Sequence, residues 1–322
     1  MAEEIKEKFS RIYKEQFVPF LQPLEDERLA VNKKVQPLKN MMGIFALLCL
    51  ASMFNKTIIF SDYILIISFL GLFICTGFSG SYTRKWNLEI KRKITSKLLP
   101  LFGNYHFSQN KNLITLDEIK VSGLFKRADK KVDDDVIIGY YNGCNIVINE
   151  CNICNSKEKY GDYFKGIIVK AAMKKNFKGL TVLGSPYTLA PVSGTEIVEL
   201  ESIDFMKNRK IYSTDQIEAR YILTTSFMEK LDRIAVIFNA KVLKGKNNNA
   251  NLEKGLNNMN LRTSAIFYKG HAYLFVPSIS NLFELKLNKT LYDENTYSVI
   301  FEQLSAIQDI IDYLNIDKNT GL

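Results

Sequence analysis

YILIISFLGLFICTGFSG, Tyr63–Gly80, carries no charged residue, and the uncharged run around it fills the twenty-one positions between Asp62 and Arg84. The hydrocarbon core of a bilayer is ~30 Å thick and a helix rises ~1.5 Å per residue, so about 20 apolar residues span it. This run meets that length outright. A second run, MMGIFALLCLASMF (Met41–Phe54), lies just upstream, among sixteen uncharged positions between Lys39 and Lys56. It is shorter, and Lys39 and Lys56 extend it by laying their stems along the helix with the ammonium groups at the two interfaces. Neither run has the polar stripe of an ordinary globular helix. The short connection Asn55–Asp62 makes the pair a transmembrane hairpin. A cleaved signal peptide is not expected, since the first apolar run begins forty residues in, after a charged segment.

Flanking charges orient the hairpin. Lys33, Lys34 and Lys39 precede it, and Arg84, Lys85, Lys91, Arg92, Lys93 and Lys97 follow it. Positive residues stay on the cytoplasmic side, so both termini are expected there, with the membrane crossed twice. The net charge of +9, from 43 basic and 34 acidic residues, is then explained by anionic lipid headgroups met by those six C-terminal flanking cations. Nucleic acid is not needed as a partner. Cysteine usage agrees: Cys49 and Cys75 lie in the apolar runs, and the odd set Cys144, Cys151 and Cys154 suits a reducing compartment.

The remainder reads as α+β. Ile5, Phe9, Ile12, Tyr13, Phe17 and Phe20 recur at helical spacing, and Pro19 and Pro23 are expected to end or bend that helix. Its apolar stripe can lie on the membrane or pack on the later domain; the mixed charges of its polar face favour packing. Beyond residue 98, Asn142–Gly143 and Lys269–Gly270 are hairpin turn signals, and YFKGIIVKAAM and FKGLTVL are strand-like runs. Hairpins without regular crossover helices predict a largely antiparallel sheet. Helices are expected from Ser213 and from Ser226, each three residues before a Gln or Glu. The C-terminal helix has one wide apolar face, Ile300, Phe301, Leu304, Ile307, Ile310, Ile311 and Leu314. The expected organisation is an N-terminal cytosolic amphipathic helix (1–38), a transmembrane hairpin (39–80, helices about 39–55 and 62–80), a basic juxtamembrane linker (81–99) and a soluble α+β domain (100–315). Within the last, residues 244–260 are Asn/Lys-rich and read as a mobile loop.

Chemistry is sparsely supplied. The two histidines, His106 and His271, are far apart. Cys151-x-x-Cys154 has redox or zinc spacing but lacks a second ligand pair, and it follows a hairpin rather than opening a helix. Asp133, Asp134 and Asp135 lack the glycine and distal glutamate of a Ca²⁺ loop. No phosphate-binding glycine loop or nucleophile elbow is present. No catalytic, cofactor-binding or metal-binding residue is therefore assigned, and no cofactor. The compact polar stretch Asp215, Gln216, Glu218, Arg220 and Tyr221 is the candidate network, either docking a helix on the sheet or meeting a partner. Glu218 and Arg220, two apart, do not share a helix face.

That stretch belongs to FMKNRKIYSTDQIEARYILTTSFMEKL (Phe205–Leu231). It resembles the signature region of the bacterial family catalogued as Domain of Unknown Function 3137, through Phe205, Tyr212, Ser213, Asp215, Gln216, Glu218, Ala219, Arg220, Tyr221 and Phe227–Met228. FKGIIV (Phe164–Val169) with FKGLTV (Phe177–Val182) is similar to another block of the family, and Thr225 stands where Pro is common. The resemblance covers roughly residues 100–315. It implies a bacterial membrane protein and lends no activity. The expected function is a membrane-anchored cytosolic binding or scaffolding module with a protein partner or a second copy of itself. The alternatives are a membrane-anchored enzyme with a site of dispersed carboxylates and tyrosines and, third, an oligomeric transport subunit.

Overall fold

The computed structural model describes residues 9–54, 61–108, 110–158, 161–173, 177–246, 262–278 and 287–316. The chain divides into two compact units, Met1–Leu98 with Phe283–Ser298, and Leu99–Leu282 with Val299–Leu322.

The first unit is built on two long helices, α1 (Val18–Phe54) and α2 (Ser61–Leu98). Residues 9–12 are helical and lead into α1 through a π turn, Tyr13–Phe17. The prolines do not end this helix: α1 runs on through Pro23 and Pro37. The wide π turn relieves the clash of the Pro19 ring with the turn before it. Residues 81–99, expected as a linker, are helical to Leu98 and continue α2. The helices pack antiparallel; a Cβ on Gly71 would fall 2.5 Å from the Phe45 ring, so glycine is what lets the two helices approach there.

Below the apolar runs the buried positions recur every three or four residues. Phe17, Leu21, Leu24 and Arg28 on α1 and its lead-in, with Val35 further on, and Trp86, Ile90, Ile94 and Leu98 on α2 are buried, the spacing of a helical seam. Phe9 and Tyr13 are buried as well, and Phe17 meets the Tyr297 ring edge-on at 4.9 Å. The N-terminal stripe thus packs internally. A buried ion pair fixes the rest of this unit. Arg28 Nη2 donates to Glu25 at 2.8 Å, Arg28 Nη1 donates to the Leu287 carbonyl at 2.6 Å, and the Leu291 amide donates to Glu25 at 2.9 Å. Segment 287–298 is held in the first unit by these bonds, whereas the sequence assigned it to the soluble domain.

The second unit is a mixed helix and sheet structure, as the sequence predicts. Among the described residues nine strands form one sheet, with every pairing antiparallel: β1 (Asn104–Phe107), β2 (Lys130–Tyr141), β3 (Cys144–Cys154), β4 (Asp162–Ala172), β5 (Thr181–Gly184), β6 (Glu196–Ile197), β7 (Lys210–Ser213), β8 (Ser264–Tyr268) and β9 (His271–Pro277). The order across the sheet is β1-β2-β3-β4-β9-β8-β5-β7-β6. The late hairpin β8–β9 fills the centre because its residues are apolar on both faces and buried almost throughout. Both turn signals form type I′ turns, with positive φ at Asn142 and Gly143 and at Lys269 and Gly270. The sheet is accompanied by the helices α3 (Leu116–Lys120), α4 (Ile203–Met206), α5 (Gln216–Ile222), α6 (Thr225–Lys246) and the end of α7 (Glu294–Ile316). On α7, Ile300, Leu304, Ile307, Ile310 and Ile311 are buried. Of the connection Asn55–Asp62, residues 55–60 fall outside the described residues, as do the segment Lys174–Asn176 and most of 244–260; 244–246 are the last turn of α6.

Helix α3 opens with a capping box between Thr115 and Glu118. The Glu118 carboxylate also receives Lys170 Nζ at 2.5 Å and the Tyr273 hydroxyl, tying α3 to β4 and β9. Burial pushes this carboxyl up, but the Lys170 and Tyr273 bonds and the Thr115 amide outweigh it and hold it below the usual carboxylate range. A carboxyl depressed on folding stabilises above its unfolded pKa of about 4.3 and loses that contribution as pH falls through the folded value. Melting temperatures between pH 7 and pH 3 are expected to fall less for Glu118→Gln than for the unaltered chain; parallel profiles would contradict this reading.

Candidate functional site

The candidate polar stretch lies at the turn from β7 into α5. Ser213, expected to cap the helix, ends β7 instead. Its hydroxyl bonds Thr181 across the strand pair at 2.9 Å and accepts the Asp215 amide at 3.0 Å. Asp215 is the cap: one carboxylate oxygen accepts the amides of Ile217 and Glu218 at 3.0 and 2.9 Å. Glu218 reaches away from the helix and accepts the amides of Lys178 and Gly179 at 3.0 and 2.9 Å. Gly179 sits so close that an added Cβ would fall 2.8 Å from Thr214 Oγ1 and 3.0 Å from Asp215 Cβ. Gln216 Nε2 donates to the Ile197 carbonyl at 3.1 Å, and Arg220 Nη1 donates back to Gln216. Tyr221 is half-buried on α5. Glu218 and Arg220 thus reach different partners. In the next helix the cap is likewise shifted, from Ser226 to Thr224, whose hydroxyl accepts the Phe227 amide at 3.3 Å.

Other quoted residues have equally local contacts. Phe205 lies 4.2 Å from the guanidinium of buried Arg209, which bonds Asp232 at 2.5 Å. Phe227 is fully buried against Phe267 and stacked on Tyr313. Gly166 of the FKGIIV block passes so near β9 that a Cβ would fall 2.2 Å from the Val276 carbonyl oxygen.

Two cysteine and carboxylate arrangements are placed by β2 and β3. Cys151 and Cys154 both lie on β3, three apart, so their side chains leave opposite faces. Burial pushes the Cys151 thiol up to about 12, which makes it a poor nucleophile. A bulge between Asp133 and Val136 brings Asp134 and Asp135 to Glu150, with carboxylate oxygens within 4.8 Å of one another. These oxygens could hold a cation, yet exposed acidic groups commonly gather without one. Asp133 itself pairs with Lys131.

A concavity of about 200 Å³ is lined by Phe125–Arg127, Tyr163 and Pro186–Ala190. Its walls are zipped together. Phe125 donates its amide to the Thr188 carbonyl at 2.8 Å, Ala190 donates to Gly123 at 3.1 Å, and Leu124 bridges Leu189. Gly123 has φ +86°, and a Cβ there would fall 2.1 Å from the Ala190 oxygen. Phe125 also has positive φ, +52°, uncommon for a bulky residue. Its ring is locked against Phe164 and Phe275 at 5.7 and 5.5 Å. At the rim, Glu158 accepts Arg127 and the Tyr163 hydroxyl, both at 2.7 Å, and those two bonds hold its carboxyl below the usual range. Sequence reading missed this pocket because its lining comes from three separated segments; the apolar Tyr187 beside Pro186 is the only local hint. The arrangement supplies recognition groups: aromatic faces, hydroxyls and two cations.

Fold and site together describe an antiparallel-sheet unit in a chain that also has two helices, each long and apolar enough to cross a membrane. Residues 162–244 and 250–316 match the family described as "Protein of unknown function (DUF3137)". The match begins at β4, later than the resemblance read from residue 100. No curated protein matches the chain. A solved structure, that of the mycobacterial trehalose monomycolate transport factor A, TtfA, aligns at 12% identity over 68% of this chain and 96% of that one, with a TM-score of 0.33.

Replacing an N-cap Asp by Ala costs about 0.5–2 kcal/mol, whereas Asn caps nearly as well. Asp215→Ala is therefore expected to lower the melting temperature by about 2–4 °C and Asp215→Asn by much less. Equal losses in the two variants would show that the carboxylate charge, not the cap, matters.

Proposed function

We propose that this protein is a membrane-anchored binding or scaffolding module of the bacterial cell membrane. In this reading α1 and α2 cross the bilayer as a hairpin, and both termini and the sheet unit remain on the cytoplasmic side. The observation that carries it is the exposure of apolar side chains along both helices. Ile44, Leu47, Leu50 and Met53 on α1, and Ile66, Ile67, Phe69, Leu70, Phe73 and Phe78 on α2, are all exposed, Phe73 to 77%. Leaving a Leu, Ile or Phe in water rather than burying it costs ~1.5–3 kcal/mol, so such a set amounts to roughly 20 kcal/mol. That exceeds the ~5–15 kcal/mol by which domains are stable. A bilayer removes the cost.

The charge distribution supports the orientation. Lys33, Lys34 and Lys39 on α1 and Arg84 and Lys85 on α2 are exposed towards the same end of the apolar band, and Arg92, Lys93 and Lys97 are exposed further along α2. Those next to the band gain about 1 kcal/mol each near anionic headgroups, an effect that fades within a Debye length. Binding rather than catalysis is favoured because the lined pocket presents aromatic and cationic groups, and the carboxylates near it are already engaged, Glu158 by Arg127 and Tyr163 and Asp129 by Ser156.

The chain is expected to stay with membranes through an alkaline carbonate wash. Leu70→Arg with Phe73→Arg, each costing about 2.5–3.5 kcal/mol at a helix centre, is expected to lower the retained fraction. Release of the unaltered chain by carbonate would contradict the anchor. Affinity purification in mild detergent with mass spectrometry reads the other half: a stoichiometric protein partner is expected, and recovery of turnover products instead would favour an enzyme.

A further inference from the structure

We infer that the pocket between residues 125–127 and 186–190 is a docking site for an acidic peptide segment of a protein partner. One aromatic or large apolar side chain of that peptide enters between Tyr163 and Tyr187, and a neighbouring carboxylate meets Lys126 and Arg127. This deepens the binding-module reading and rests on it.

Size is the first argument. At about 200 Å³ the pocket is smaller than the ~300–1,000 Å³ clefts that enclose a whole small ligand. It matches one large side chain. Tyr187 stands at its mouth 85% exposed, and tyrosine is among the residues that dominate interface energetics when covered.

Charge selects the occupant. The charged lining residues, Lys126 and Arg127, are both cationic and exposed. Arg127 is held in place by Glu158 on one nitrogen, while its 71% exposed side chain offers further N–H donors to a carboxylate. Asp129 and Glu158 share the same rim, joined through Ser156 and Asn155. A single carboxylate threads between such alternating charges, whereas a uniformly anionic lipid surface would meet the two acids as well.

The pocket is also set before anything binds. The Gly123–Ala190 and Phe125–Thr188 bonds and the locked Phe125 ring fix both walls. A docking peptide therefore bears less ordering cost than it would on a mobile loop.

The test uses the full chain in dodecyl maltoside micelles. Phage-displayed random dodecapeptides are selected on it, and the enriched peptides are measured by fluorescence anisotropy. Enrichment of sequences with Asp or Glu beside Phe, Tyr, Trp or Leu is expected. Tyr187→Ala and Lys126→Glu should each weaken binding about tenfold or more. Tyr140→Ala, removing another exposed tyrosine on β2, should leave it within about twofold. Lys126 and Tyr187 are solvent-exposed, and unchanged melting temperatures establish that the variants fold. Peptides that bind all variants equally would overturn the pocket while leaving a binding module with another face. No enrichment, or binding only to vesicles of phosphatidylglycerol, would overturn it too. The membrane anchor is read separately by the carbonate wash, so its failure is distinguishable.

Discussion

Large apolar side chains stand exposed on the C-terminal half of α1 and the N-terminal half of α2, where contact with water is costly, and the proposed organisation of the first unit follows from that constraint. Where Met41–Phe54 and Tyr63–Gly80 run, large apolar side chains point outward and glycine at 71 lets the helices approach. Nearer Val18 and Leu98 the pattern inverts, with apolar residues inward and charges such as Lys93 and Glu27, paired at 2.9 Å, outward. Residues 81–98 at ~1.5 Å per residue add a stalk of roughly 27 Å. The same two helices are thus proposed to serve two solvents in succession. Within the stalk, burying Glu25 and Arg28 is tolerable because every charged atom has a partner: each other, the Leu287 carbonyl and the Leu291 amide. Removing one member of such a pair leaves a buried charge uncompensated.

The sheet unit solves a different problem. Its most apolar strands, β8 and β9, come late in the chain yet occupy the centre of the sheet, between β4 and β5. Strands made earlier lack their neighbours until residues 264–277 arrive, a long-range closure that slows folding. Loops leaving this sheet carry the pocket: residues 123–127 precede β2, Tyr163 opens β4 and residues 186–190 follow β5. A rigid sheet with recognition groups on its connecting loops is a common division of labour.

Much of this was legible in the chain. Apolar runs, paired turn signals and the C-terminal periodicity gave the helices, the antiparallel sheet and the last helix, because each is a local pattern. What failed were rules with a close competitor. Pro19 and Pro23 did not stop α1, since a π turn and the packed seam sustain it. Ser213 did not cap α5, since Asp215 two residues on was the better acceptor and Ser213 was held by Thr181. Residues 287–298 could not be assigned to the first unit because nothing local announces bonds to Glu25 and Arg28. Of the polar stretch, Asp215 as a helix-start residue was readable; the reach of Glu218 to the amides of Lys178 and Gly179 was not. The pocket, assembled from three segments, left almost no trace.

The central claim is that the hairpin crosses the membrane with the sheet unit on the cytoplasmic side. Single cysteines at Asp62, between the apolar runs, and at Glu199, exposed on the sheet unit, in a chain otherwise free of cysteine, read it directly. A membrane-impermeant maleimide added to intact spheroplasts is predicted to label Asp62→Cys, and to label Glu199→Cys only after lysis. Labelling of Glu199→Cys in intact spheroplasts, or protection of Asp62→Cys, would contradict the account.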